Sequence, residues 1–217
     1  MNKIETARSP KEAITIISEE ECRAGMKKLQ KAFSEMFPDH QQVSVIPILR
    51  SGYRLGKELT DNLGIRMNPM RMSYYKEDTS RLPVPVCLTP PDITRILSPD
   101  GSTRRVVFTE CVVDSQDTIV AAMEETNRMI DAVAELTNKK LAYPEYYTFA
   151  YVSKIGERLL RIPNMVAAFS VNPDIWVGGL GCDLPGDSAR DLSRLVGILS
   201  PFAEKTPKPP YFVPLLN

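Results

Sequence analysis

Between residues 43 and 49 the chain reads VSVIPIL, a short and almost continuously apolar run rich in β-branched residues. Such a run is far too short to span a membrane, and its lack of alternation marks a strand buried on both faces. A strand covered on both sides demands a sheet with layers above and below it. Further strand-like runs lie at Met70–Tyr75, in RRVVFTE at 104–110, at Tyr146–Val152 and at Met165–Ser170. Helical segments alternate with them. Ser18, with Glu21 three residues on, forms a capping box that opens a helix to about Phe37. A short helix follows RSGYRLG and ends near Leu63, stopped by Gly64. From Thr118 to Leu136, Ile119, Met123, Ile130 and Val133 recur near helical spacing. This alternation predicts an α/β fold with a mainly parallel sheet flanked by helices.

The 217 residues suit one domain. Lys+Arg and Asp+Glu balance at 27 each, which argues against a dedicated nucleic-acid binder. The opening MNKIETARSPKEA lacks the apolar core of a secretory signal, so a cytoplasmic location is expected, away from membranes. The four cysteines (Cys22, Cys87, Cys111, Cys182) form no CxxC pair and His40 is the sole histidine, which disfavours a Cys/His zinc site or a Ser-His-Asp hydrolase. Lys76–Thr103 is rich in proline and polar residues, with a strand-like PVPVCL inside it, and reads as a long mobile excursion outside the core. The last seventeen residues hold five prolines, so they are expected to be an extended tail whose apolar YFVPLL lies on the domain or on a partner subunit.

The chemistry concentrates in VVFTECVVDSQDTI, residues 106–119. A buried strand leads through two carboxylates four apart, Glu110 and Asp114, into a short turn and a helix. A turn closing onto a helix N-terminus presents free N–H groups and the positive end of the helix dipole, a setting that suits phosphate. Ser115 and Thr118 add hydroxyls. The same residues also fit a plain capped helix, with Ser115 or Asp117 as the cap.

The segment resembles the phosphoribosyl pyrophosphate (PRPP) signature of the type I phosphoribosyltransferases, reading Val106-Val107-Phe108-Thr109, Glu110-Cys111, Val112-Val113, Asp114-Ser115-Gln116-Asp117-Thr118. Other resemblances follow in order. Leu49-Arg50-Ser51-Gly52 is similar to the pyrophosphate loop, and RMSYY, ending at Tyr75, to the start of the mobile catalytic loop. Lys154, Trp176-Val177 and Gly179-Leu180-Gly181-Cys182-Asp183 resemble the base-binding segment of the hypoxanthine-guanine enzymes, and Arg190-Asp191-Leu192 their late Arg-Asp-Leu. IPILRSG, the Pro-rich excursion and Gly-Gly-Leu-Gly near Asp183 resemble the uracil enzymes instead. Two positions depart from the pattern: Cys111 replaces the second acidic residue, and Gln116 replaces a glycine of the phosphate loop.

The resemblance implies a single domain over 1–217, with a core at 38–170, a base-binding hood segment at 171–200 and a Pro-rich tail at 201–217. The hood is expected from N- and C-terminal segments together. It also implies transfer of a 5-phosphoribosyl group from PRPP to a nucleobase, a 6-oxopurine before any other, releasing pyrophosphate and a nucleotide. Uracil transfer, or a nucleotide sensor with impaired catalysis, are the alternatives. In this scheme Asp114 manages the base proton and Glu110 contacts the ribose. Arg50, with the Leu49–Ser51 backbone and Arg190, holds pyrophosphate. Gly52, Tyr75 and Val113 line the substrate, and Ser115, Gln116, Asp117 and Thr118 hold its phosphate. Lys154, Trp176 and Val177 bind the base, Glu110 and Asp183 meet Mg2+, and the 76–103 excursion closes over the site. A homodimer or homotetramer is expected.

Overall fold

The computed structural model describes residues 13–75, 81–156, 159–182, 191–199 and 212–214. Strand β1 (Ile14–Ile17) leads into helix α1 (Glu19–Met36), and β2 (Val43–Leu49) into α2 (Gly52–Thr60). Strands β3 (Met70–Tyr75) and β4 (Arg81–Thr89) precede β5 (Arg105–Val113) and α3 (Asp117–Thr137). Then come β6 (Tyr146–Ser153), β7 (Met165–Val171), β8 (Ile175–Gly178), β9 (Leu195–Leu199) and β10 (Phe212–Pro214).

The large sheet has seven strands in the order β10-β7-β6-β5-β2-β3-β4. Its five inner strands run parallel, and β4 and β10 pair antiparallel at the two edges. A small antiparallel sheet, β1-β9-β8, joins the N-terminal strand to late ones, which is the expected hood.

The two faces of the large sheet are covered by different helices, and the sequence periodicity explains which. In α1, Cys22, Met26, Leu29 and Phe33 recur on one buried stripe, and they pack with Val43 and Val45 of β2, Leu55 and Leu59 of α2, and Phe149 of β6. Ser18 starts this helix with the expected reciprocal bonds to Glu21. On the opposite face, Ile46 and Ile48 of β2 and Phe108 of β5 pack with Ile119, Ala122 and Ile130 of α3. Alternate residues of VSVIPIL therefore enter two separate cores, as a strand buried on both faces requires.

The 76–103 segment differs from expectation. Much of it is β4, a nine-residue edge strand hydrogen-bonded to β3, followed by a 3-10 turn at Ile93–Arg95 and the fully buried Ile96. Pro83 and Pro85 are tolerated because an edge strand needs ladder donors on one side only; residues 76–80 lie outside the described part. Strand β5 continues three residues beyond Glu110, and α2 ends at Thr60 rather than near Leu63. In the tail, residues 212–214 pair with Phe169–Val171 of the chain's own β7. No described helix is long and apolar enough to cross a membrane.

Candidate functional site

In an open parallel sheet, ligands bind beyond the carboxyl ends of the strands, where the strand order reverses. Here that point lies between β2 and β5. The chain leaves β2 through Arg50 and Ser51 into α2, which packs on β2 and β5 beside α1. It leaves β5 through residues 114–116 into α3, which packs toward β3 and β4. The two loops diverge and open a crevice.

Ser51 and Glu110 meet there. The Ser51 hydroxyl donates to the Glu110 carboxylate, which also accepts from the Cys111 N–H at 2.9 Å. Burial raises the Glu110 carboxyl from its usual range to about 7, against the lowering effect of those two hydrogen bonds. Gly52 permits the approach: a Cβ there would stand 1.8 Å from the Thr109 carbonyl oxygen, so no other residue fits without moving β5. The Leu49–Arg50 peptide is cis.

A cleft of about 260 Å³ is lined by Ser51, Glu110, Val112, Lys154, Trp176, Val177 and Cys182. Parallel register assembles it. Val113 pairs with Ser153, so the next residues, Asp114 and Lys154, emerge side by side. Lys154 Nζ donates to Asp114 Oδ2 at 2.9 Å, with the lysine side chain 5% exposed and the aspartate 47%. Trp176 is half-buried, packed on Val196 of the small sheet. An adjoining hollow of about 380 Å³ is lined by Leu49, Arg50, Tyr53, Arg54, Gly181 and Asp191. His40 lies before β2, at the far end of that strand, and takes no part. It borders a larger hollow of about 560 Å³ with Arg66, Arg95 and Arg104. That hollow faces the amino ends of the strands, and Arg95 and Arg104 are engaged there by backbone carbonyls such as those of Met67 and Gln41.

The 114–118 segment has an unexpected construction. Gln116, the N-cap of α3, is left-handed (φ 68°) and gives the helix no side-chain cap. This is the conformation that favours glycine. Its buried side chain is instead fastened to a neighbouring segment: Nε2 donates to the Leu159 carbonyl at 3.0 Å, and Oε1 accepts from the Arg161 and Ile162 N–H groups at 2.6 and 3.3 Å. Asp117 begins α3 and binds the Arg161 guanidinium and the Tyr74 hydroxyl, the latter at 2.9 Å. Arg161, foremost, holds the Asp117 carboxyl below its ordinary value. Its backbone N–H donates to the Ser115 hydroxyl oxygen at 3.5 Å.

Glu110, Asp114, Ser51, Lys154, Trp176 and Val177 thus converge, and Leu49, Arg50 and Gly52 adjoin them. Val113 ends β5, and Ser115 and Thr118 flank the left-handed Gln116. Asp183 and Arg190 lie outside the described residues. Tyr74 bonds Asp117 through its hydroxyl; the side chain of Tyr75, singled out from the sequence, lies outside the described part. Arg54 and Arg161 escape a sequence reading altogether, since neither stands in a recognisable motif. A further surprise is a disulfide between Cys111 and Cys182, 71 residues apart.

Gln116 supplies a stability test. Gln116→Ala keeps the left-handed backbone and loses the three hydrogen bonds, which should destabilise the fold by about 2–3 kcal/mol. Gln116→Gly loses the same bonds but relieves the backbone, so it should be about 1 kcal/mol more stable than the alanine variant in urea unfolding.

No protein-family model and no curated protein matches the chain. Solved structures do. A hypoxanthine-guanine phosphoribosyltransferase from Bacillus anthracis superposes with a TM-score of 0.61 at 20% identity, covering 86% of this chain and 98% of that one. A hypoxanthine phosphoribosyltransferase from Trypanosoma cruzi, a point mutant in a ternary substrates complex, gives 0.57 at 20% identity, covering 88% and 96%. One from Staphylococcus aureus gives 0.56 at 15%, covering 89% and 94%. The chain has the type I phosphoribosyltransferase fold.

Proposed function

We propose that this chain is a PRPP-dependent phosphoribosyltransferase that moves the 5-phosphoribosyl group onto a 6-oxopurine. The observation that carries this reading is the Asp114–Lys154 pair beside the cleft that Trp176 lines. A 6-oxopurine offers an exocyclic oxygen that accepts from an ammonium, and a ring proton that must leave as the glycosidic bond forms. Lys154 and Asp114 supply those two partners from adjacent strand ends, and Trp176 supplies a face for stacking.

In the reaction the C1′–pyrophosphate bond breaks as the purine nitrogen bonds to C1′, with positive charge developing on the sugar. Arg50 and Arg54 border the hollow next to the cleft, and guanidinium groups suit a departing pyrophosphate anion. The purine proton passes to Asp114. Backbone N–H groups at the start of α3, with the Ser115 and Thr118 hydroxyls, hold the 5′-phosphate. Ionised Glu110 accepts from the ribose hydroxyls. Magnesium takes one or two carboxylates besides phosphate oxygens and waters. The donor set suits that habit, because the Glu110 carboxylate stands at the cleft. Glu110 would hold the ion, which supplies charge neutralisation for pyrophosphate.

The test is pyrophosphate release from PRPP and magnesium with each base in turn. Release is expected with hypoxanthine or guanine. Release with uracil alone would overturn the base assignment. The lost second carboxylate at Cys111 favours a second reading, a nucleotide sensor. That reading gains if GMP or IMP raises the melting temperature and no base is turned over.

A further inference from the structure

Cys182 closes a tight loop that begins at the end of β8. Gly179 and Cys182 exchange backbone hydrogen bonds, each of 2.9 Å, and Gly179, Leu180 and Gly181 are all left-handed, with φ of 99°, 53° and 102°. The loop is pressed onto the core at two points. A Cβ on Gly181 would stand 3.0 Å from the Ser51 carbonyl oxygen, and Cys182 is bonded through sulfur to Cys111. Cys111 is fully buried on β5, and its N–H binds the Glu110 carboxylate. The disulfide therefore adds a covalent tie between the small sheet's loop and the strand that carries Glu110. Trp176, Val177 and Cys182 form the part of the cleft lining contributed by the small sheet.

We propose that the Cys111–Cys182 disulfide is a positioning element that holds the Trp176–Cys182 side of the cleft against β5, and that its reduction by a dithiol loosens this side and weakens nucleotide binding. The role rests on the phosphoribosyltransferase reading and deepens it. Chemically, a thiolate of the dithiol attacks the sulfur of Cys182, the member of the pair whose residue lines the cleft, and Cys111 leaves as a thiolate. The dithiol's second thiol then displaces Cys182. The protein gains two electrons and two protons, and the reductant becomes a cyclic disulfide. A loosened side matters because base and sugar must sit in register with Glu110 and Asp114, and small misplacements carry large penalties.

The experiment compares air-exposed and dithiothreitol-treated full-length protein. Alkylation after unfolding should count two thiols, Cys22 and Cys87, in the first state and four in the second. GMP affinity measured by calorimetry should fall about tenfold on reduction, with the KM for the base rising more than kcat falls. Cys182→Ser should match the reduced protein and lose its response to dithiothreitol; should it fail to fold, the two states of the unaltered chain still decide. Four thiols in the air-exposed protein, or equal GMP affinity in both states, would overturn the role alone. No nucleotide or PRPP binding in either state would sink the phosphoribosyltransferase reading and the role with it. Amide exchange over 177–182, expected to rise on reduction with or without ligand, separates that failure from absence of the tie.

Discussion

Lys154→Met should lower kcat/KM for hypoxanthine or guanine by about 100-fold while leaving the fold intact. A hydrogen bond from a charged group to substrate is worth about 1.5–3 kcal/mol, and each 1.4 kcal/mol is a factor of about ten. The fold survives because of an asymmetry in the pair. Lys154 is the buried member and Asp114 is half exposed, so removing the lysine leaves a carboxylate that water can solvate. Methionine also fills much of the space of the lysine stem. Asp114→Asn should differ in costing stability as well. It leaves a buried ammonium facing a neutral amide, destabilising by about 2 kcal/mol, and it slows transfer while nucleotide binding largely persists. Urea denaturation beside steady-state kinetics for both variants checks the pattern. An unchanged transfer rate in Asp114→Asn would remove the proton role from that residue.

Glu110 should impose a pH dependence on stability and on turnover with opposite signs. Its carboxyl titrates near 7 in the folded chain and near 4.5 when unfolded. Between those values the native state holds a proton that the unfolded state has lost. The stability this group contributes is therefore fully present below about pH 4.5 and declines as pH rises to about 7, by about 3 kcal/mol in all. Glu110→Gln should flatten that decline, read as unfolding free energy from about pH 5 to 8. Turnover should instead rise with pH through about 7, as the carboxylate that accepts from ribose hydroxyls forms, and the variant should lose that inflection. A wild-type stability curve flat across this range would refute the assignment. The opposition has a physical source, since the desolvation that penalises the buried charge is part of what primes it for a hydroxyl or a cation.

Much of the layered architecture is legible from local pattern. VSVIPIL had to be a doubly buried strand and the Ser18–Glu21 box had to open a helix. Edge strand β4 was less legible, because Pro83 and Pro85 read as a loop unless one knows that a single neighbour pairs with it. The left-handed Gln116 was half legible. Its position calls for glycine, but nothing local shows that Leu159, Arg161 and Ile162 wait to bind its amide.

By itself, then, the sequence determined the three helices, the five parallel strands, their order and the loops where chemistry collects, since periodicity, capping and apolar runs act over a few residues. Tertiary structure alone decided which distant side chains meet. Asp114 finds Lys154 because β5 and β6 align Val113 with Ser153, and Ser51 finds Glu110 because β2 lies next to β5. Cys111 finds Cys182 because the small sheet folds its loop back over that same strand. Register and strand order are properties of the assembled sheet, set by which faces bury together, and no window of residues along the chain encodes them.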